Sequence, residues 1–535
     1  MKNLDTMLKK TMRFIVYMVL CTVVFSSCKK DKELVPEPEE PATPDGTRAQ
    51  LTADSIFLYA KEVYLWNTAL PSFEGFNPRQ YVSTRDEEAG FNSELYAITR
   101  YGINSGTGEP FEYNEENPDA PKYSYIFDTD DANPIAYVIP AKSSVDLEGN
   151  GFDFGFLANP FGTNANYRLY VTTVYKGSPA DRAGIKRGDI FTVVNNRQVT
   201  TNFTNETADF LNEALFDASS VSLKVLKASS GATADITLTR TSYRSDPVYK
   251  DTVYTAGAKK IGYLAYARFS NLDNSQAALN EAFNDFASKG VTDLIVDLRY
   301  NGGGYVQTAE YLADLIAPAS KNGQVMYKEH FNTLLQEGKA SILKNQPLPG
   351  ADGKPQSSGA TYADVDFSVA KNTYRFNKKG PLTSLQNVVF IVTGSTASAS
   401  ELVINSLKPH MNVKIVGEKS YGKPVGFFPI TIDKYEVYFS MFESRNSEDQ
   451  GGYYAGLTPD LFTDDDVTHD FGDLRESSVK AAYDYLTTGV LALSSAKQSA
   501  ISSANGRAAK VSQLKGFKPA REEFKGMIET RIKLR

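Results

Sequence analysis

The chain has 535 residues, too many for one ordinary core, so two to four domains are expected. Hydrophobic residues make up 41% and charged residues 23%, the balance of a soluble globular protein. The net charge is −7 and no basic face stands out, which argues against a nucleic-acid partner.

The first segment reads as an address. Lys2, Lys9, Lys10 and Arg13 form a positive start, and residues 14–25 are a short apolar run broken by Thr22. A membrane-spanning helix needs about 20 apolar residues; this run is shorter and has the layout of an export signal. Phe25-Ser26-Ser27-Cys28, followed by Lys29, resembles a bacterial lipobox. That resemblance implies removal of residues 1–27, lipidation of the Cys28 sulfur, and a body outside the cytoplasm. The expected location is the cell envelope, as an outer-membrane lipoprotein; an uncleaved anchor is the other reading. Cys21 and Cys28 are the only cysteines, so the body has no intrachain disulfide, Cys-based metal site or thiol nucleophile.

Residues 28–50 are rich in Pro and Glu and nearly free of large apolar side chains, which predicts a flexible tether. From Thr52, the residues Ile56, Tyr59, Ala60, Val63 and Trp66 fall at helical spacing, with Pro71 as the stop. Residues 51–145 are expected to be a small, mainly helical region with Trp66 in its core. Over residues 150–245 the pattern turns to strands. A β-rich run at 169–174 precedes Gly177-Ser178-Pro179-Ala180-Asp181-Arg182-Ala183-Gly184, then Gly188-Asp189, a strand near Phe191 and a turn at Asn195-Asn196. The string from Gly177 to Val199 is similar to the central segment of PDZ domains. Such domains add an extended peptide as a strand and hold its end on backbone N–H groups. The resemblance assigns that loop to Phe154, Gly155, Phe156 and Leu157.

Over residues 246–490 strands and helices alternate. Residues 261–265, 294–296, 388–392 and 413–417 read as strands, and 275–288 and 305–316 as helices. Continuous apolar strands between helices indicate an α/β layer with a partly parallel sheet. Residues 321–380 are polar and turn-rich and read as an irregular insertion; residues 491–535 form a C-terminal extension.

Two loops follow two of these strands, where ligands bind in open α/β sheets. The first carries Asp297-Leu298-Arg299-Tyr300-Asn301-Gly302-Gly303-Gly304. Three glycines before a helix let backbone N–H groups approach a ligand; no Lys-Ser/Thr follows, which excludes a P-loop. The second is Thr393-Gly394-Ser395-Thr396-Ala397-Ser398-Ala399-Ser400-Glu401, opening a helix whose N-terminus would favour an oxyanion. Small hydroxyl residues there are also ordinary caps. None of His330, His410 and His469 lies in a triad-like motif, so a lysine is the alternative base. Lys423, in Tyr421-Gly422-Lys423-Pro424-Val425-Gly426, has the aromatic and apolar neighbours that would depress its pKa.

These segments resemble the C-terminal processing, or tail-specific, peptidases, whose motifs are "DLRxNxGG", "SASASE" and "GxxxxGK". This chain has "DLRYNGGG", "TASASE" and "GEKSYGK", with Lys423 standing 25 residues after Ser398, and "GLTPD" ending at Asp460 resembles the family's "GxxPD". The resemblance implies a multidomain protein with a ClpP/crotonase-like α/β peptidase core behind the PDZ module. It further implies Ser398 as nucleophile, Lys423 as base, and an oxyanion hole from Ala399 with Gly303 or Gly304. No metal or organic cofactor is implied, and the partners are protein or peptide substrates. One departure stands out. Many members carry Gln four residues after the lysine, where this chain has Phe427, which is expected to remove a polar partner and add desolvation. A catalytically weak or inactive binding protein on the same scaffold is the alternative that this departure supports.

Overall fold

The structure, a computed structural model, describes residues 45–115, 117–129, 145–350, 354–491, 526–528, 531 and 533–535. The export signal, Cys28 and all but the last residues of the expected tether lie outside the described residues. Two units divide the chain, Met1–Leu51 and Thr52–Arg535, and the fold below is that of the second. No helix among the described residues is long and apolar enough to cross a membrane.

Helix α1 (Arg48–Val63) buries Ala53, Ile56, Phe57, Ala60 and Val63 along one face and ends at Val63, before Pro71 is reached. Half-buried Trp66 stacks flat on Phe111, with ring centroids 4.5 Å apart. Helix α2 (Glu87–Thr99) starts on Asp86, whose carboxylate accepts the Ala89 N–H at 2.9 Å. Strand β1 (Tyr125–Asp128) then pairs antiparallel with residues Tyr435–Tyr438. The N-terminal region is thereby strapped onto the far end of the chain.

The next module is an antiparallel sheet in the order β2 (Phe156–Thr163), β3 (Asn166–Val174), β4 (Ile190–Val194), β5 (Ser220–Leu226) and β6 (Thr233–Thr239), so β2 is its edge. Ser178 caps the short helix Pro179–Arg182 by accepting the Asp181 N–H. Asn195 and Asn196 take φ of 45° and 65°, the left-handed pair that a two-residue hairpin needs, and set Val194 opposite Arg197. Helix α3 (Asn205–Asn212) closes the module over a core of Phe156, Leu169, Val171, Phe191, Leu211 and Leu223.

The third part is an α/β layer. Its strands are β7 (Val248–Ala256), β8 (Lys259–Tyr266), β9 (Asp293–Asp297), β13 (Asn387–Val392), β14 (Asn412–Gly417) and β18 (Leu461–Phe462), hydrogen-bonded in that order and parallel except at β7/β8. Period-2 alternation sends Leu294, Val296, Val388 and Phe390 to one face, under α4 (Leu272–Ser288), α5 (Val306–Ile316) and α6 (Ala399–Leu407). Ile295, Val389 and Ile391 go to the other, under α7 (Ser477–Thr488). Burial on both faces is why these strands read as continuous apolar runs.

Residues 321–380 are more ordered than their composition suggested. They supply β11 (Val325–Phe331) and β12 (Thr373–Arg375) to a second sheet with β15 (Val425–Gly426) and β17 (Phe442–Asn446). Strand β11 alternates Tyr327, Glu329 and Phe331 inward with half-buried Lys328 and His330 between, which disguised it as loop. Strand β10 (Gly303–Tyr305) pairs in parallel with β19 (Gly526–Ile528), from the C-terminal extension. Strand β16 (Tyr435–Tyr438) is the partner of β1.

Candidate active site

The loops after β9 and β13 meet. Asn301 is the joint: its carbonyl accepts the Ala397 N–H at 3.1 Å and the Ser400 hydroxyl at 2.9 Å. Its side chain donates to the Tyr266 carbonyl at 3.0 Å and accepts the Gly303 N–H at 3.0 Å. The Gly303 amide is therefore engaged, which leaves Gly304 as the better of the two glycine candidates for an oxyanion. Both glycines have left-handed φ, 110° and 131°, and a Cβ on Gly304 would stand 2.1 Å from the Phe269 carbonyl oxygen. Only glycine fits this close approach.

Ser398 is the residue before α6 and is fully buried. Its backbone has φ 58° and ψ −110°, a conformation non-glycine residues avoid. Its Oγ makes no hydrogen bond among the described residues. The strain holds because the turn is fixed on every side. The Ser398 N–H donates to Glu401 Oε2 at 2.8 Å, and the Thr396 hydroxyl donates to the Leu298 carbonyl at 2.8 Å.

Glu401 also holds the base loop. Besides Ser398, it accepts the Lys423 N–H at 2.8 Å, the Gly422 N–H at 2.7 Å and the Ser420 hydroxyl at 2.5 Å. One buried carboxylate thus takes N–H groups from both Ser398 and Lys423 on the same oxygen. Burial pushes the Glu401 carboxyl up, and these four donors pull it back.

Lys423 is 1% exposed. Burial pulls its ammonium pKa down to about 7, opposed by the charges of Glu112 and Glu401. Its Nζ lies 4.7 Å from the centre of the Phe427 ring. The departure at Phe427 therefore does more than desolvate: a ring face at this distance attracts the ammonium. Tyr125 and Tyr438 brace that ring edge-on at 5.5 and 5.3 Å.

Two functional carboxylates escaped the sequence reading. Glu401 had a signal, the Ser-x-x-Glu spacing of a capping box. Glu112 had none. It sits in the N-terminal region, fully buried, accepting Tyr123 N–H, Ser124 N–H, the Ser124 hydroxyl and the Ser440 hydroxyl at 2.7–3.1 Å. Ser440 adjoins Met441, whose N–H bonds the Gly426 carbonyl beside the base loop. Tyr123 completes the link, donating to the Gly422 carbonyl at 2.5 Å.

The three histidines lie elsewhere. His410 bonds the Val325 carbonyl at 2.9 Å, His469 pairs with Asp466 at 3.0 Å, and His330 lies 3.8 Å from Asp449. Asp460 accepts the Ile415 N–H at 2.9 Å and pins the end of the sheet. Among the described residues no group of His, Cys, Asp and Glu side chains could hold a metal ion. In the β-rich module, Phe154 and Phe156 point into its own core, so of residues 154–157 the backbone and the half-buried Leu157 side chain could meet a peptide. The Phe154 and Gly155 carbonyls are already engaged by Ala180 and Tyr175.

Residues 260–461 match the model of peptidase family S41, and residues 170–216 match that of the PDZ domain. The segment 260–461 is thus similar to peptidase family S41. Its relatives include the chloroplastic C-terminal processing peptidase of Tetradesmus obliquus, 26% identical over 48% of this chain and 48% of the relative. The carboxy-terminal processing protease CtpA of Bacillus subtilis is 26% identical over 48% of this chain and 44% of its own. The chain thus spans about half the length of the curated relatives it matches. Among solved structures, one assigned to the S41 proteases, from Bacteroides fragilis NCTC 9343, shares the fold at TM-score 0.54 and 21% identity, over 84% of this chain and 99% of its own. The S41 match falls on the α/β layer and its second sheet, called the S41 domain below, and the PDZ match on the antiparallel module before it, called the PDZ domain.

Proposed function

We propose that this chain is a serine endopeptidase of the C-terminal processing type, acting through Ser398 and Lys423. The observation that carries the reading is the shared Glu401 clamp, which ties a strained, unpartnered serine to a buried lysine. Ser398 Oγ attacks a peptide carbonyl while the neutral Lys423 amine takes its proton. The oxyanion is held by the N–H groups of Ala399 and Gly304, at a helix N-terminus where negative charge is favoured. Lys423 then returns the proton to the leaving amine, which departs and leaves an acyl-enzyme. A water attacks the ester, its proton passing to Lys423 and on to Ser398 Oγ. The PDZ domain presents extended protein or peptide substrates, and lipid on Cys28 holds the body at the envelope membrane.

A fluorophosphonate label tests the chemistry. Wild type is expected to label, Ser398→Ala to be blank, and Lys423→Arg, which cannot supply a neutral amine, to label and turn over at background rate. Near-normal acylation of Lys423→Arg would mean that a histidine, not Lys423, is the base.

A further inference from the structure

Resting on that reading, we propose that the surface of the S41 domain against which residues 526–528, 531 and 533–535 lie is its substrate cleft. It selects extended peptides with a cationic side chain five residues beyond the reacting carbonyl, and this segment occupies it as a built-in competitor.

The segment enters at the chemistry. Gly526 lies opposite Gly303 in a parallel pair, and its N–H donates to the Gly302 carbonyl at 3.0 Å. A residue in a parallel ladder bonds the two neighbours of its partner, so the Gly526 carbonyl faces the Gly304 N–H. A second distance agrees. The point where a Cβ on Gly303 would stand lies 2.5 Å from the Gly526 oxygen and 3.1 Å from the Ala399 nitrogen. The Gly526 carbonyl is thus set toward the Gly304 N–H, with the Ala399 N–H on the same side of Gly303. Two residues on, Ile528 bridges Phe427, so the strand runs between the glycine loop and the base loop, and Met527 is 1% exposed. This is how an added peptide strand binds: main-chain bonds give affinity and alternate side chains give selectivity.

The outgoing end is held as specifically. Arg531 forms a two-point pair with Glu310, at 2.7 and 2.8 Å, and lies 4.5 Å over the Tyr374 ring. Lys533 lies 3.7 Å over the same ring. The Lys533 carbonyl accepts the Asp366 N–H at 2.8 Å, and Leu534 bridges Val365. Tyr374 and residues 364–366 belong to the 321–380 insertion, which acquires a role: one wall of this cleft. Paired Arg–carboxylate contacts and cation–ring stacking read side-chain charge, which ordinary strand addition does not.

The test uses the full chain and the rate at which a fluorophosphonate labels Ser398. Arg531→Glu and Glu310→Arg each break the anchor and are expected to label about tenfold faster than wild type, as a larger fraction of the cleft is open. The charge swap, both changes together, restores the slow rate, which a folding defect would not do. The synthetic decapeptide with the sequence of residues 526–535 slows labelling of Arg531→Glu strongly, since its Glu310 is intact, and of Glu310→Arg only weakly. The same peptide with Glu at its sixth position reverses the pattern, protecting Glu310→Arg and failing on Arg531→Glu. Equal labelling rates for wild type and Arg531→Glu, or no protection of Arg531→Glu by the decapeptide, overturn the proposal. If Ser398 labels in no variant, the peptidase reading fails by itself. Anisotropy of a fluorescein-tagged decapeptide then decides the cleft: binding to Arg531→Glu sustains it, and no binding overturns it.

Discussion

At the residue scale the charge state of Lys423 sets the behaviour to expect. With its pKa pulled down to about 7 by burial, the amine is protonated below that pH and neutral above it. Single-turnover acylation is therefore expected to rise through pH about 7 and level off above. Glu112 opposes the shift, since its negative charge favours the ammonium. Glu112→Gln is expected to move the limb to lower pH. Phe427→Gln replaces the ring with an amide oxygen, a better partner for an ammonium, and should move the limb to higher pH. A pH profile of acylation reads both signs, and a limb that Glu112→Gln leaves in place would make that carboxylate a scaffold only.

At the element scale the proposed nucleophile and base both depend on how α6 begins. Glu401, its third residue, accepts four donors, and two of them share one oxygen. A glutamine offers a single acceptor oxygen and sets its NH₂ against backbone N–H groups. Glu401→Gln is expected to cost about 1–3 kcal/mol of stability, the penalty for buried groups left unpaired. It should also lower kcat by about 10²-fold through misplacement of Ser398 and Lys423, with KM changing much less. Thermal melts and steady-state kinetics on a short peptide separate the two effects. An unchanged kcat would show that the strained turn at Ser398 holds without the clamp.

At the scale of the whole molecule, the parts are bolted together at their charged loops. Arg187 of the PDZ domain, 2% exposed, reaches the loop that carries the glycines. It donates to Asp465 at 2.6 Å, to the Tyr300 hydroxyl at 2.7 Å and to the His469 carbonyl at 3.1 Å, while Arg299 shares Asp465 at 2.9 Å. Removing one member of a buried charge cluster typically costs about 3–5 kcal/mol. Arg187→Ala is expected to loosen the PDZ domain, seen as faster limited proteolysis, and to lower activity on short peptides as well as on proteins. Loss confined to protein substrates would mean that the module only captures. The proposed membrane attachment is the other whole-molecule expectation, and it rests on sequence. Cys28→Ser is expected to move the protein to the soluble fraction with peptidase activity intact, whereas tight membrane retention would exclude the lipobox.

The local pattern alone was enough for the parallel strands, since apolar runs such as 388–392 and the helix faces between them follow from burial on two sides of a sheet. It was enough, too, for the serine and lysine segments, whose short motifs need particular backbone conformations: glycines at left-handed φ and a Ser-x-x-Glu start to a helix. What the sequence could not supply was everything that joins distant stretches. Glu112 and Lys423 are 311 positions apart, and no periodicity marks a single buried carboxylate in a region without a motif. Strand β11 was hidden because its polar positions are half-buried in an inserted sheet rather than exposed on a regular face. The pairing of Gly526 with Gly303 is likewise a matter of register between two short strands. Such contacts are decided only when the chain closes on itself, because hydrogen bonds and charge pairs of this kind gain their strength from a common low-dielectric interior that no local segment possesses.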